Sequence, residues 1–166
     1  IGLLYIQALK KLGATTVIVS EIDEMKLKLA KSFGADVVVN PKKESLKDVV
    51  MAETNGIGAN VLIDAAGLID AIPTAFTLLE YSGRIVIFGV PAETQKVEIT
   101  PYEIYRKEFE IIGSFTNPYT NEAALNMLKD MVVDPIITNP VGLAELESAI
   151  QKIHNREPGV IKVQLQ

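Results

Sequence analysis

Short runs of apolar, mostly β-branched residues alternate with longer segments of helical periodicity along the first half of the chain. The apolar runs are "TTVIVS", "DVVVN", "NVLIDAA" and "IVIFGV". Between them, apolar residues recur every three or four positions, as in "DEMKLKLAKSF". Strands that are apolar along their whole length are typical of a parallel sheet that helices cover on both faces. The alternation therefore predicts an α/β fold built on a parallel sheet.

The remaining elements follow from the same patterns. A first helix should end at Gly13, a second at Gly34, and "YSGR" should form a turn before "IVIFGV". Residues 91–109 are predicted to be irregular, with one short strand-like piece in "KVEI". "EIIGSF" and "VIKVQL" read as strands, and "NEAALNMLKDM" and "LAELESAIQKI" as helices. Prolines in "VVDPIITNP" break the pattern, which divides the chain into residues 1–131 and 132–166.

Charge and composition exclude several classes of partner. The net charge is −5, from 16 Lys and Arg against 21 Asp and Glu, so the chain lacks the basic surface that nucleic acid or an anionic membrane requires. No apolar run approaches the roughly 18 residues of a membrane span. The absence of cysteine excludes disulfides and thiolate metal sites and is compatible with a cytoplasmic location. Small molecules are the expected partners.

Glu21 comes immediately after the strand-like run "VIVS". Ligands of open α/β sheets bind at the carboxyl ends of strands, where a carboxylate can accept hydrogen bonds from an adenine ribose and repel a 2′-phosphate. Glu21 also follows Gly2 by 19 positions, close to the separation of about 20 expected between a phosphate-binding glycine loop and the ribose-binding acid. The alternative is an ordinary acid at a helix N-terminus, beside Asp23 and Glu24. The strand context favours the ribose role, and with it NAD over NADP.

Small residues end three further predicted strands. They lie in "DAAG" at 64–67, "FGVPA" at 88–92 and "GSF" at 113–115. Small residues at successive strand ends allow a flat ligand to approach backbone groups directly. Each glycine could instead serve a tight turn, which is the commoner use of any one of them. Three such ends in series favour a ligand-binding cleft.

The chain offers no catalytic constellation of its own. His154, the sole histidine, falls late in a predicted helix, where a solvated helix end is its expected setting. Asp64 could be a paired acid of the core. The sequence contains no HExxH motif and no cluster of His, Cys and Asp with metal-ligand spacing.

The motifs taken together resemble a known family. In order, "GATTVIVSEIDEMKLKLAKSFGADVVVNP", "TNGIGANVLIDAAG", "SGRIVIFGVPA" and "IYRKEFEIIGSF" are similar to the cofactor-binding half of the zinc-dependent medium-chain alcohol dehydrogenases, nearest to their polyol or sorbitol-type branch. The resemblance extends through the closing "PGVIKVQL". It implies a Rossmann-type doubly wound parallel sheet and hydride transfer between NAD and a secondary alcohol or sugar alcohol. It also implies a catalytic zinc whose ligands belong to an N-terminal domain absent from this chain.

The resemblance assigns cofactor-binding roles residue by residue. Gly2, with Ile1, matches the end of the glycine-rich loop at the pyrophosphate, and Glu21 matches the ribose acid. The other matching positions are Lys26 at the adenosine ribose, Ala65, Ala66 and Gly67 on the adenine side, Gly89 and Val90 at the nicotinamide ribose, Ser114 and Phe115 near the carboxamide, and Lys162 near the pyrophosphate. "KVEIT" resembles the edge strand through which family dimers join their sheets, which implies a homodimer or homotetramer.

The start of the family pattern is missing from this chain. The first strand and the first two glycines of the loop do not precede Ile1, so we expect the chain to be part of a longer enzyme. Residues 132–166 would then return to the catalytic domain. Two other readings stay open at this point, a zinc-free relative among the quinone reductases and a nucleotide-binding module without catalytic activity.

Overall fold

The computed structural model describes residues 1–115, 119–155 and 157–166. Its helices and strands, in chain order, are α1 (Gly2–Lys11), β1 (Ile18–Ser20), α2 (Glu24–Ser32), β2 (Val37–Val39), α3 (Leu46–Glu53), β3 (Ala59–Asp64), α4 (Ala71–Leu78), β4 (Leu79–Ile87), α5 (Pro101–Lys107), β5 (Glu110–Gly113), α6 (Asn121–Leu128), β6 (Ile137–Val141), α7 (Leu146–His154) and β7 (Lys162–Leu165). Short 3₁₀ turns at Asp134–Ile136 and Leu143–Glu145 precede β6 and α7.

The chain forms two compact units. The first consists of Ile1, Leu3–Glu44 and Tyr119–Gln166, and the second of Gly2 with Ser45–Pro118. The first unit contains two sheets, β1 with β2 and β6 with β7, and the second contains one sheet in the order β3-β4-β5. Every strand pair among the described residues is parallel. The predicted α/β class with parallel strands is confirmed.

Helices cover the strands of the first unit through small and branched side chains. Ile6 of α1, Val17 before β1 and Ala30 of α2 are buried together with Ala35. Ala30 is fully buried, which lets α2 approach the sheet closely. The apolar stripe of each helix thus forms one side of this core.

Helices α1 and α2 end as the sequence predicts. Gly13 and Gly34 have positive φ angles of 94° and 101°, which glycine adopts without steric cost. After α1 the Ala14 N–H donates to the Leu9 carbonyl at 2.9 Å, and after α2 the Ala35 N–H donates to the Ala30 carbonyl at 3.0 Å. These are the hydrogen bonds of Schellman caps, which turn the chain directly into the following strand.

The core of the second unit forms where α4 packs on the central strand. Its buried members are Ile72, Ala75, Leu79, Ile85 and Phe109. The rings of Phe76 and Phe109 lie 5.5 Å apart between centroids. Ile85 is fully buried on β4, between β3 and β5.

The structure corrects three predictions about local elements. Residues 91–109 are not irregular throughout, because Pro101–Lys107 forms α5 with Pro101 in its first turn, where a missing N–H costs no hydrogen bond. Lys96–Ile99 forms no strand, since a strand requires a hydrogen-bonded partner and this segment has none within the described residues. The "YSGR" turn is wrong as well, because these residues form a bulged part of β4 with Ser82 at a φ of 57°.

A strand forms within the predicted proline-containing break. Ile137–Val141 is a strand that pairs with β7, although it contains Pro140. β6 has one neighbouring strand, so the proline's missing N–H leaves no ladder bond unmade on a second side. No helix in the described ranges is long and apolar enough to cross a membrane.

Truncation of Ile85 should destabilise the protein far more than truncation of its neighbour in the sheet. Ile85 and Ile111 are register partners on β4 and β5, but Ile85 is 0% exposed and Ile111 is 41% exposed. We expect Ile85→Ala to lower the free energy of unfolding by about 2–5 kcal/mol. Ile111→Ala should cost at most about 1 kcal/mol. Urea unfolding of the two variants measures the difference, and equal losses would contradict the assigned core.

Candidate functional site

Glu21 lies at the carboxyl end of β1. Its backbone N–H donates to the Val39 carbonyl at 3.1 Å, which continues the parallel hydrogen bonding beyond β1. Its carboxylate Oε1 accepts from the N–H groups of Ile22 at 2.7 Å and Asp23 at 3.0 Å. Oε2 makes no hydrogen bond to any described residue. The carboxylate is therefore held by its own loop and keeps one oxygen available to a ligand.

Asp23, not Glu21, caps helix α2. Asp23 is the N-cap residue, and its Oδ1 accepts from the N–H groups of Met25 at 2.8 Å and Lys26 at 3.1 Å. Glu21 precedes the cap and its carboxylate binds the loop instead. The sequence allowed Glu21 to be either a ribose-binding acid or an ordinary acid at a helix N-terminus. The structure gives the N-terminal position of the helix to Asp23 instead. Ribose binding by Glu21 stays a prediction.

Three predicted phosphate- and ribose-binding positions of the first unit come together. Burial lowers the pKa of the Ile1 amino group, and the nearby positive charges of Lys26 and Lys162 lower it further. Lys26 is in the first turn of α2 and Lys162 begins β7. The turn before β7 also reaches α2, because a Cβ on Gly159 would lie 3.9 Å from the Met25 sulfur. Lys26 and Lys162 therefore both bring positive charge near Ile1.

Asn40 is a residue that sequence reasoning missed. It directly follows β2, as Glu21 directly follows β1, and it is 7% exposed. Its Nδ2 donates to the Ile22 carbonyl at 3.3 Å and to Glu24 Oε1 at 2.7 Å. Its position at the end of a strand beside that of Glu21 is the signal that could have identified it.

Lys43 completes this cluster on the same side of α2. Its ammonium lies 2.7 Å from Glu24 Oε1, the oxygen that also accepts from Asn40. The Lys43 ammonium, followed by the Asn40 amide, holds the pKa of the Glu24 carboxyl below its usual value. Glu24 is therefore a stable anion that orients the Asn40 amide.

In the second unit, Asp64 organises the carboxyl end of β3. Its Oδ1 accepts from the N–H groups of Ala66 at 3.0 Å and Gly67 at 3.1 Å. Its main-chain carbonyl accepts from Phe88 at 3.1 Å and Gly89 at 2.7 Å. The buried carboxylate is thus satisfied by the backbone of its own loop, and it forms no ion pair with any residue that the structure describes. It joins the loop after β3 to the loop after β4.

Gly67 and Gly89 allow these two loops to touch through their backbones. A Cβ at Gly89 would lie 2.0 Å from the Gly67 nitrogen and 2.5 Å from its Cα. Gly67 has a φ of +68°, and a Cβ there would lie 2.9 Å from the Val90 nitrogen and carbonyl oxygen. Neither glycine simply serves a tight turn. Both are required because the two backbones pack without side chains between them.

Exposed apolar and small residues follow the other strand ends of this unit. Val90 and Phe115 are each 91% exposed. The Ser114 N–H donates to the Ile87 carbonyl at 3.0 Å, so β5 ends level with β4. Ala66 is exposed and Ala65 half-buried, with Ala65 Cβ 3.9 Å from the position of a Cβ on Gly2. The structure therefore gathers these predicted site residues at one edge of β3-β4-β5.

The structure also shows where His154 and Gly2 lie. His154 is the last residue of α7 and is exposed, as a solvated helix end should be. Gly2 is the first residue of α1, as predicted. Within the described ranges, no group of three or more His, Cys, Asp or Glu side chains is arranged to bind a metal ion.

Parallel strands with polar and small residues at their carboxyl ends define a ligand-binding α/β protein. Within that class, comparison with protein families identifies one family. Residues 1–132 match the model of the zinc-binding dehydrogenase family. The chain belongs to this family.

Similar proteins include a named dehydrogenase and two dinucleotide-bound structures. D-arabitol-phosphate dehydrogenase from Enterococcus avium is 33% identical over 170 residues, covering 100% of this chain and 47% of the relative. A zinc-binding dehydrogenase of Sinorhizobium meliloti 1021, solved bound to NADP, is 32% identical with a TM-score of 0.85, covering 99% of this chain and 48% of that one. An alcohol dehydrogenase of E. coli CFT073, complexed with NADH, is 27% identical with a TM-score of 0.89, covering 99% and 49%. The chain spans about half the length of these proteins.

Alanine at Gly89 should disrupt the paired loops, whereas alanine at Gly113 should not. A Cβ at Gly89 meets the Gly67 backbone, which cannot move away as a flexible side chain would, while a Cβ at Gly113 has no atom within 4 Å. We expect Gly89→Ala to lower the free energy of unfolding by about 1–3 kcal/mol or more. Gly113→Ala should change it by less than about 1 kcal/mol. Denaturant unfolding of both variants distinguishes them, and a neutral Gly89→Ala would refute the backbone contact.

The Glu24 cluster should lose its stabilising effect in acid. Because the pKa of Glu24 is lowered in the folded protein, its contribution is complete above the ordinary Glu value of about 4.3 and is lost as the pH falls through the folded value. The stability difference between wild type and Glu24→Gln should therefore be constant near neutrality and shrink below about pH 4.3. Urea midpoints over a pH series measure this difference. Glu53→Gln, at an exposed carboxylate of α3, is the matched control and should show a smaller change with pH.

Proposed function

We propose that this chain is the cofactor-binding part of an NAD-dependent, zinc-dependent alcohol or polyol dehydrogenase. Such an enzyme transfers a hydride between the nicotinamide ring and a secondary alcohol or sugar alcohol. The observation that carries the proposal is the Glu21 carboxylate at the end of β1, fixed by two backbone N–H groups and open at Oε2. Membership of the zinc-binding dehydrogenase family and similarity to a D-arabitol-phosphate dehydrogenase support it.

In the first unit, three charged residues are suited to bind the adenosine ribose and the pyrophosphate of NAD. Glu21 Oε2 is free to accept a hydrogen bond from a ribose hydroxyl, and Lys26 lies three residues after the Asp23 cap, within reach of the same ribose by the family pattern. Lys162 supplies positive charge close to Ile1, as a pyrophosphate requires. These residues bind and orient the cofactor and take no part in the chemistry.

In the second unit, the small residues at the ends of β3 and β4 leave room for the flat rings of a dinucleotide. The backbone contact of Gly67 and Gly89 keeps side chains away from the ends of β3 and β4, next to Ala65 and Ala66. We assign Ala65, Ala66 and Gly67 to the adenine side. The family pattern likewise assigns Gly2 to the pyrophosphate, Gly89 and Val90 to the nicotinamide ribose, and Ser114 and Phe115 to the carboxamide. The exposure of Val90 and Phe115 supports these roles, because apolar side chains at a strand end gain from a covering ring.

The bound nicotinamide would supply the carbon that accepts or donates hydride, and this chain would supply binding and orientation. We assign the zinc ligands and the proton relay to the remainder of a longer enzyme. In that enzyme residues 1–131 would form the cofactor-binding domain and residues 132–166 would lead back to the catalytic domain. The family pattern at "KVEIT" supports a homodimer or homotetramer, and the absence of cysteine is compatible with the cytoplasm.

NAD is the proposed cofactor although one solved relative is bound to NADP. A fixed carboxylate at the ribose accepts hydrogen bonds from hydroxyl groups, whereas a 2′-phosphate would bring negative charge against it.

Removing the Glu21 carboxylate should relax the choice of dinucleotide. We expect Glu21→Ala in the full-length protein to weaken NAD binding about tenfold and to strengthen NADP binding, because ribose hydrogen bonds and charge repulsion are lost together. Isothermal titration with each dinucleotide gives the ratio of the two dissociation constants. Glu53→Ala is the matched control. An unchanged ratio in Glu21→Ala would remove Glu21 from the ribose role.

A further inference from the structure

Asn40 is buried at the carboxyl end of β2, next to the loop that carries Glu21. Its side chain is 7% exposed, and all of its hydrogen bonds are local to this corner of the first unit. Oδ1 accepts from the Lys42 N–H at 3.1 Å, and Nδ2 donates to the Ile22 carbonyl and to Glu24. A buried amide with both ends satisfied is a fixed element of structure.

One peptide group connects Asn40 to Glu21. The carbonyl of Ile22 and the N–H of Asp23 belong to the same planar, trans peptide unit, so their directions are rigidly coupled. Its carbonyl accepts from Asn40 Nδ2 at 3.3 Å, and its N–H donates to Glu21 Oε1 at 3.0 Å. An amide that holds the carbonyl therefore also aims the N–H that holds the carboxylate.

A second hydrogen bond, to Glu24, fixes the orientation of the Asn40 amide. Glu24 Oε1 accepts from Nδ2 at 2.7 Å and is anchored by the Lys43 ammonium, also at 2.7 Å. A charged acceptor makes a stronger hydrogen bond than a neutral one, so the amide cannot turn without losing it. The chain of contacts runs from Lys43 through Glu24 and Asn40 to the peptide group and Glu21.

We propose that Asn40 is a positioning residue that aims the Glu21 carboxylate and thereby sets the preference for NAD over NADP. The inference rests on the proposed ribose role of Glu21. Asn40 touches no reacting group, and its effect passes through the Ile22–Asp23 peptide. Without Nδ2 the peptide is free to rotate, the Asp23 N–H leaves Glu21, and Oε2 loses its fixed direction toward the ribose.

The test measures dissociation constants for NAD and NADP with the full-length protein by isothermal titration. The variants are Asn40→Ala, Glu21→Ala and the double substitution, with Lys42→Ala as the control on the same loop, since only the backbone of Lys42 contacts Asn40. We expect Asn40→Ala to weaken NAD binding about three- to tenfold and NADP binding by less, so that the selectivity ratio, the dissociation constant of NADP divided by that of NAD, falls. Lys42→Ala should leave both constants unchanged.

The double substitution separates positioning from general destabilisation. If Asn40 acts through Glu21, adding Asn40→Ala to Glu21→Ala leaves the selectivity ratio, the dissociation constant of NADP divided by that of NAD, where Glu21→Ala alone puts it. A ratio that falls further by the same factor would overturn the inference. So would an Asn40→Ala protein with the wild-type ratio while Glu21→Ala relaxes it, a result that leaves the proposed function intact. An unchanged ratio in Glu21→Ala itself would instead reject the ribose role and the inference with it.

A second variant covers the case in which Asn40→Ala fails to fold. Asn40→Leu has nearly the same shape and carries no charge, but it has no N–H to donate to Ile22 or Glu24. We expect Asn40→Leu to lower the ratio as well, in a protein that remains folded by circular dichroism. A folded Asn40→Leu with the wild-type ratio would overturn the inference.

Discussion

Hydrogen bonding between parallel strands determines where the candidate ligand-binding residues at the strand ends lie. In the first unit the pairing of Ser20 with Val39 brings the ends of β1 and β2 level, so that Glu21 and Asn40 emerge at the same edge. In the second unit Asp64 pairs with Ile87, and Ile87 pairs with Gly113, which aligns the ends of β3, β4 and β5 in the same way. A shift of register in either sheet would separate these residues, because neighbouring side chains would point to opposite faces.

Polar side chains at these strand ends stabilise the loops that follow them. Glu21, Asn40 and Asp64 each accept hydrogen bonds from backbone N–H groups one to three residues further along. Such bonds satisfy donors that have just left the sheet and would otherwise lie unpaired. The same geometry leaves one oxygen of Glu21 unused by the described residues. Loop stability and readiness for a ligand therefore come from the same side chains.

Much of this organisation could be predicted from the sequence, because it depends on local patterns. The apolar runs located β1 to β5, and Gly13 and Gly34 marked the ends of α1 and α2. The failures have physical reasons. Pro101 starts a helix in a segment that looked irregular, and residues 96–99 have no strand partner among the described residues. Each of these outcomes depends on neighbours that periodicity does not reveal.

The sequence by itself determined the α/β class with parallel strands, the position of Glu21 after a strand and the small residues at the other strand ends, because each follows from the order of residues along a few turns of chain. Only the tertiary structure decided that Gly67 and Gly89 meet backbone to backbone, and that Asn40 holds the peptide that holds Glu21. These contacts join residues from different strand ends. They arise when packing brings the strands together, and nothing in the local pattern of either segment encodes them.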